Sequence, residues 1–278
     1  MAIGATLCAG LWPFFKTVTF GETLINMKKI YILMALLATF AISCSKPSND
    51  PTPKPDPKPD DEQPTPEPEP EPDQYVAPIT VDGDFSDWDK LDASKVVVAS
   101  CAENALKTGL KVLKVFVDEM YMFVYFEYDD AAIPDKSDVQ GHVYFDADND
   151  ETTGGCANQW TPGCIEYMGE GHFFRNDAIF IFDPSLSFWT GEPQKEGWEW
   201  EDVVASGSGL FNGTGKDGKY EMAMLFEMFP GQPVPLGDTF GFGMDIQQAW
   251  SSVGILPNAD SNDDNPNGKS KLLTVKRP

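Results

Sequence analysis

From residue 75 onward, short apolar runs of strand length recur at 96–99, 110–117, 120–128, 142–146, 178–182, 198–203, 219–226, 239–246 and 271–275. They are rich in β-branched and aromatic residues, and clusters of Asp, Asn, Gly and Pro separate them. No segment sustains apolar residues at i, i+3, i+4 and i+7 over several turns. The pattern predicts an all-β domain, an antiparallel β-sandwich of jelly-roll-like type. Residues 115–117, Asp118-Glu119 and 120–128 read as a hairpin. The stretch from Gly213 to Tyr220 (GTGKDGKY) fits G-x-G-x-x-G and falls one residue short of a phosphate-binding loop. Both phosphate motifs need a helix next, so that its N-terminal amides can meet the anion, whereas residues 220–225 alternate like a strand. A glycine-rich hairpin turn is the better reading.

The N-terminal part has a different organisation. Met27, Lys28 and Lys29 precede an apolar run of about 13 residues, too short to span a bilayer, that ends in Ala41-Ile42-Ser43-Cys44. This is the layout of a cleaved secretory signal at residues 27–43. Its end resembles a lipobox, the motif of bacterial lipoproteins in which the cysteine is acylated; Ala41 departs from the usual Leu, Val or Ile. Cys44 is therefore the expected lipidated residue, with ordinary cleavage and secretion as the competing reading. Residues 1–26 carry no n-region of their own and read as a mis-assigned N-terminal extension. Residues 44–74 form a linker in which proline recurs at nearly every second position among acids. Such a stretch cannot bury a core; it is expected to be disordered, extended and solvated, with a reach of up to roughly 85 Å. Surface lipoproteins of the Bacteroidetes look like this. An outer-membrane lipid anchor with the domain facing the exterior is the expectation, and a periplasmic face is the alternative.

The formal net charge is −24. A surface this acidic repels phosphate backbones and sets nucleic-acid binding aside, while it suits neutral ligands and divalent cations. Residues 75–278 suffice for one sizeable core, so a single, monomeric domain is expected.

Three stretches carry a family resemblance: Ile79-Thr80-Val81-Asp82-Gly83-Asp84-Phe85-Ser86-Asp87-Trp88; Val143-Tyr144-Phe145-Asp146-Ala147-Asp148-Asn149-Asp150 with Gly154-Gly155; and Leu236-Gly237-Asp238-Thr239-Phe240-Gly241-Phe242-Gly243-Met244-Asp245 with Trp250 and residues 271–275. Together they resemble family 9 carbohydrate-binding modules and their DOMON-like relatives. The resemblance implies a β-sandwich, bound calcium and sugar held between tryptophans.

The residues themselves point the same way. Asp146, Asp148 and Asp150 alternate, and if the chain turns at Asn149 their carboxylates can converge on one hard cation, most simply structural Ca²⁺. Glu151 stands where an EF-hand needs glycine, so the loop is only calcium-loop-like; a solvated acidic turn competes. Asp260, Asn262 and Asp264 repeat the spacing but read more simply as a turn. Two histidines, His142 and His172, with no HExxH or CxxC, give little basis for transition-metal chemistry. Cys156 and Cys164, in an exported chain, are the expected disulfide, with exchange to Cys101 left open. Trp160, Trp189 and Trp250 lie in loop-like surroundings, where aromatic faces stack on sugars; Gln159, Gln247 and Gln248 beside them could bond hydroxyls. Trp88 is expected in the core, and Trp198 and Trp200 form either a platform or core. The resulting expectation is a non-catalytic carbohydrate-binding lipoprotein whose partner is an oligo- or polysaccharide. A calcium-stiffened adhesion module and a glycoside hydrolase with paired carboxylates are the alternatives.

Overall fold

The computed structural model describes residues 75–278 apart from Phe180, Ile181 and Pro230. The extension 1–26, the signal 27–43, Cys44 and the linker lie outside the described residues. No helix among the described residues is long and apolar enough to cross a membrane.

The chain opens with β1 (Val96–Ser100), β2 (Leu110–Val117) and β3 (Tyr121–Tyr128), then β4 (Asp138–Asp146), β5 (Gly155–Cys156), β6 (Cys164–Ile165) and β7 (Tyr167–Arg175). There follow β8 (Ala178–Ile179), β9 (Ser185–Trp189), β10 (Trp200–Val204), β11 (Phe211–Lys216) and β12 (Lys219–Leu225). The chain closes with β13 (Thr239–Gln248), β14 (Ser251–Leu256) and β15 (Leu273–Lys276). The Gly-rich stretch is the predicted hairpin: β11 pairs with β12 through Asp217-Gly218, both at positive φ, as a two-residue type I′ turn requires.

Two antiparallel sheets pack face to face. One has the order β1-β2-β3-β12-β11; the other has β10-β9-β7-β4-β13-β14, with β15 beside β13 and β8 beside β7. Leu113, Val115, Met122, Val124 and Phe126 from the first sheet meet Val139, Val143, Phe145, Phe240, Phe242 and Met244 from the second in one buried cluster. The predicted antiparallel β-sandwich is the fold.

β3 is apolar nearly throughout because both its faces are covered. Phe123 and Tyr125 pack outward against Ile79 and Trp88 from the segment before β1, so Trp88 is buried as expected.

The central strand β7 (YMGEGHFFR) escapes a periodicity search because two of its core-facing positions are glycine. A Cβ on Gly169 would lie 2.7 Å from Val143 Cγ2, and one on Gly171 would lie 3.1 Å from the Phe182 ring. Larger residues opposite fill the space that the missing side chains leave. The outward residues of β4 and β7, by contrast, are mostly polar: Gln140, His142 and Asp146 on one, Glu170 and His172 on the other, with Tyr144 and Met168 in a separate apolar cluster between them. The site is built on that face.

Candidate functional site

At one end of β4 and β7 lies an acidic cluster. Asp146 closes β4, Asn149 turns the chain at φ 55°, and Glu166 sits between β6 and β7. One oxygen each of Asp146, Asp148 and Glu166 lies within 4.8 Å of the others. Glu166 Oε2 accepts from Ala147 N at 2.7 Å and its Oε1 from Thr153 Oγ1 at 2.9 Å. Burial, reinforced by neighbouring carboxylates, pushes the Asp146 carboxyl up to about 6 and that of Glu166 up to about 7. Asp146 Oδ1 is buried without a hydrogen-bond partner.

Asp150, expected as the third ligand, is not one of the three. Its carboxylate accepts from Thr152 N and Oγ1, which hold it below the usual carboxylate range. Glu166 takes its place from 16 positions further on, brought in by the pairing of β4 with β7. A carboxylate amid the apolar CIEYM was the one available signal, and spacing alone could not connect it to Asp146.

Beside this cluster Cys156 and Cys164 face each other across the β5–β6 pair. The expected disulfide is not formed: both are free thiols. Cys164 Sγ is turned to the carbonyl of Glu151, 2.9 Å away, and burial raises its pKa to about 11. Cys101 is half-buried, with Asn258 Nδ2 3.5 Å from its sulfur.

The tryptophans separate sharply. Trp160 is 2% exposed, its Nε1 bonded to Pro257 O and its ring against Tyr144 in a small second core on the outer face. Trp189 is 5% exposed, bonded to Glu192 O and packed edge-on against Trp200. Neither offers a face to a ligand, contrary to expectation: the loop that carries Trp160 folds back onto the sheet, and Trp189 is the last residue of β9, opposite Trp200 in the β9–β10 pair. Trp198, by contrast, is exposed.

Trp250 alone of the three expected binders is open, at 67% exposure. It is the second residue of the two-residue β13–β14 turn, where Ala249 and Trp250 have φ of 49° and 63°. That geometry favours Asn-Gly; a bulky side chain there is strained.

Trp250 stands at the rim of a cleft of about 620 Å³ at the opposite end of β4 and β7 from the acidic cluster. Gln140, Glu170, His172, Asp183 and Ser185 also line it. The β4–β7 register shifts by one residue beside Gln140, a bulge that alters the local twist. His142 Nε2 lies 3.0 Å from Glu170 Oε2 and holds that carboxyl below its ordinary range. His172 Nδ1 lies 2.9 Å from Asp138 Oδ1.

Asp245, fully buried nearby, accepts from Gln159, Gln247 and Ser252 at 2.7–3.0 Å, and burial raises its pKa. Gln159 and Gln247, expected to meet sugar hydroxyls, are thus committed to Asp245, and Gln248 bonds Asp135 O. The cleft draws on five separate strands and loops, which is why no local motif announces it. No family model matches the chain, and no curated protein matches it.

Proposed function

We propose that the domain is the non-catalytic carbohydrate-binding part of a lipid-anchored outer-membrane protein, resembling family 9 modules, and that it holds oligo- or polysaccharide in the cleft beneath Trp250. The carrying observation is Trp250 itself. An exposed indole in a backbone conformation that disfavours it, at the mouth of a polar cleft, is costly for the fold and useful to a ligand. Strain of this kind concentrates at functional positions. A pyranose presents an apolar face to such a ring and hydroxyls to the surrounding amide, carboxylate and hydroxyl groups.

Calcium fits the other end of the strands. Three hard carboxylate donors, one with an unpartnered buried oxygen, suit a hard divalent cation. Asp146, Asp148 and Glu166 would hold it, and its charge would tie the end of β4 to the start of β7. An adhesion module stiffened in this way is the second reading, supported by the same cluster.

The test is a glycan array and affinity electrophoresis with the anchored protein's residues 75–278 and with Trp250→Ala. Retained glycan that is lost in the variant supports the proposal. A blank array, with calcium still raising Tm, favours the adhesion reading.

A further inference from the structure

Resting on that reading, we infer that the cleft takes a glycan bearing a free amino group, seated as an ammonium against Gln140, Glu170 and Asp183. The walls are rich in acceptors. Gln140 is 3% exposed and lines the cleft, yet its Oε1 has no hydrogen-bond partner. Asp183 Oδ1, in the same cleft, is likewise buried and unpartnered, while the backbone N–H groups of Gly207 and Gly209 engage the carboxyl elsewhere. Glu170 bonds His142 through Oε2 alone, which leaves Oε1 available. Asp138 adds a third carboxylate and is engaged by His172.

Buried acceptors without donors are unfavourable unless something supplies a hydrogen. A hydroxyl brings one donor, whereas an ammonium brings three and a positive charge. Hydrogen bonds between charged partners are roughly twice as strong as neutral ones. A uronate or sulfated sugar would instead set its own charge against Glu170, Asp138 and Asp183. Arg175, also in the lining, stands across from Asp138 in the β4–β7 register and offsets only part of that charge. Trp250 supplies the apolar face that any pyranose uses, and the amino group supplies selectivity.

The experiment is an array that presents amine-bearing, N-acetylated, neutral and uronic-acid glycans of matched backbones, probed with four proteins: the parent, Trp250→Ala, Asp183→Asn and Glu103→Gln. Glu103, exposed and away from the cleft, controls for the general attraction of an acidic protein to polycations. The amine-bearing glycans are expected to bind about tenfold or more tighter than their N-acetylated counterparts. Asp183→Asn should erase that preference, and Glu103→Gln should leave it. If neutral or acidic glycans bind best through Trp250, the amine inference fails while carbohydrate binding stands. Equal loss of preference in Glu103→Gln and Asp183→Asn also overturns it, and an array blank for every glycan overturns both.

Discussion

The indole Nε1 of Trp88 donates to Glu221 Oε2 at 3.1 Å. Glu221 Oε1 accepts the backbone N–H groups of Gly83 and Asp82 at 2.8 and 3.1 Å. One fully buried carboxylate in β12 thereby fastens the opening segment over Phe116, Phe123 and Tyr125. The motif that resembles the start of a carbohydrate-binding module is, in this chain, a cap on the outer face of the five-stranded sheet.

Trp88→Phe keeps most of the packing and removes the donor. A buried carboxylate oxygen left unpaired costs about 1–3 kcal/mol, so Tm is expected to fall by several degrees. Thermal and urea melts measure this. A change within about one degree would mean that Glu221 finds another partner and that the cap does not depend on the bond.

The acidic cluster couples stability to pH. Burial raises Asp146 to about 6 and Glu166 to about 7 in the folded state, above their ordinary values of 3.8 and 4.5. A raised folded pKa contributes stability that is complete below the unfolded value and is lost as pH rises through the folded value. Without added cation, this contribution should decline between about pH 4 and pH 8. Calcium competes with those protons, so it should raise Tm most near pH 8 and little near pH 5. At 100 times its Kd the gain is about 2.7 kcal/mol. Melts across pH with EDTA or calcium check the sign, and Glu166→Gln should flatten both curves. An equal calcium effect at pH 5 and pH 8 would count against the site.

Trp250→Gly should stabilise the fold while removing carbohydrate binding. Glycine accepts φ near 63° freely, so release of strain is worth about 1 kcal/mol or more. A Tm that falls instead would show the indole to be a packing residue.

Cys156 and Cys164 pair directly, and Cys156 N bonds Lys195 O rather than Cys164 O. They therefore occupy the narrow, non-hydrogen-bonded kind of antiparallel pair, with Cα atoms about 4.5 Å apart, within disulfide range. Oxidised glutathione should link them, with loss of two hydrogens from the peptide pair and reduction of the oxidant. Peptide mass analysis under non-reducing conditions reads the bond, and recovery of the two thiols unmodified would exclude it.

Cys44→Ala should abolish metabolic labelling of the protein with palmitate. Labelling that persists in the variant would rule out Cys44 as the anchor.

Part of this site was legible in the residue order. Asp146 and Asp148 share a short loop, so their proximity follows from chain connectivity. Trp250 was recognisable as a loop aromatic. Trp160 and Trp189 have similar flanking residues, yet they are buried by contacts with Tyr144 and Trp200. Composition around a tryptophan does not say whether its loop folds back.

What the sequence determined by itself was the succession of strand-length apolar runs that makes this an antiparallel sandwich, including the continuous run of β3 and the turn at Asp217-Gly218, because side-chain pattern and turn chemistry are local properties. What only the tertiary structure decided was the partnership of Glu166 with Asp146, the cleft shared by Gln140, Glu170 and Asp183, and which tryptophan stays open. Those depend on strand register between segments far apart in the chain, and register is set by how two buried faces fit together.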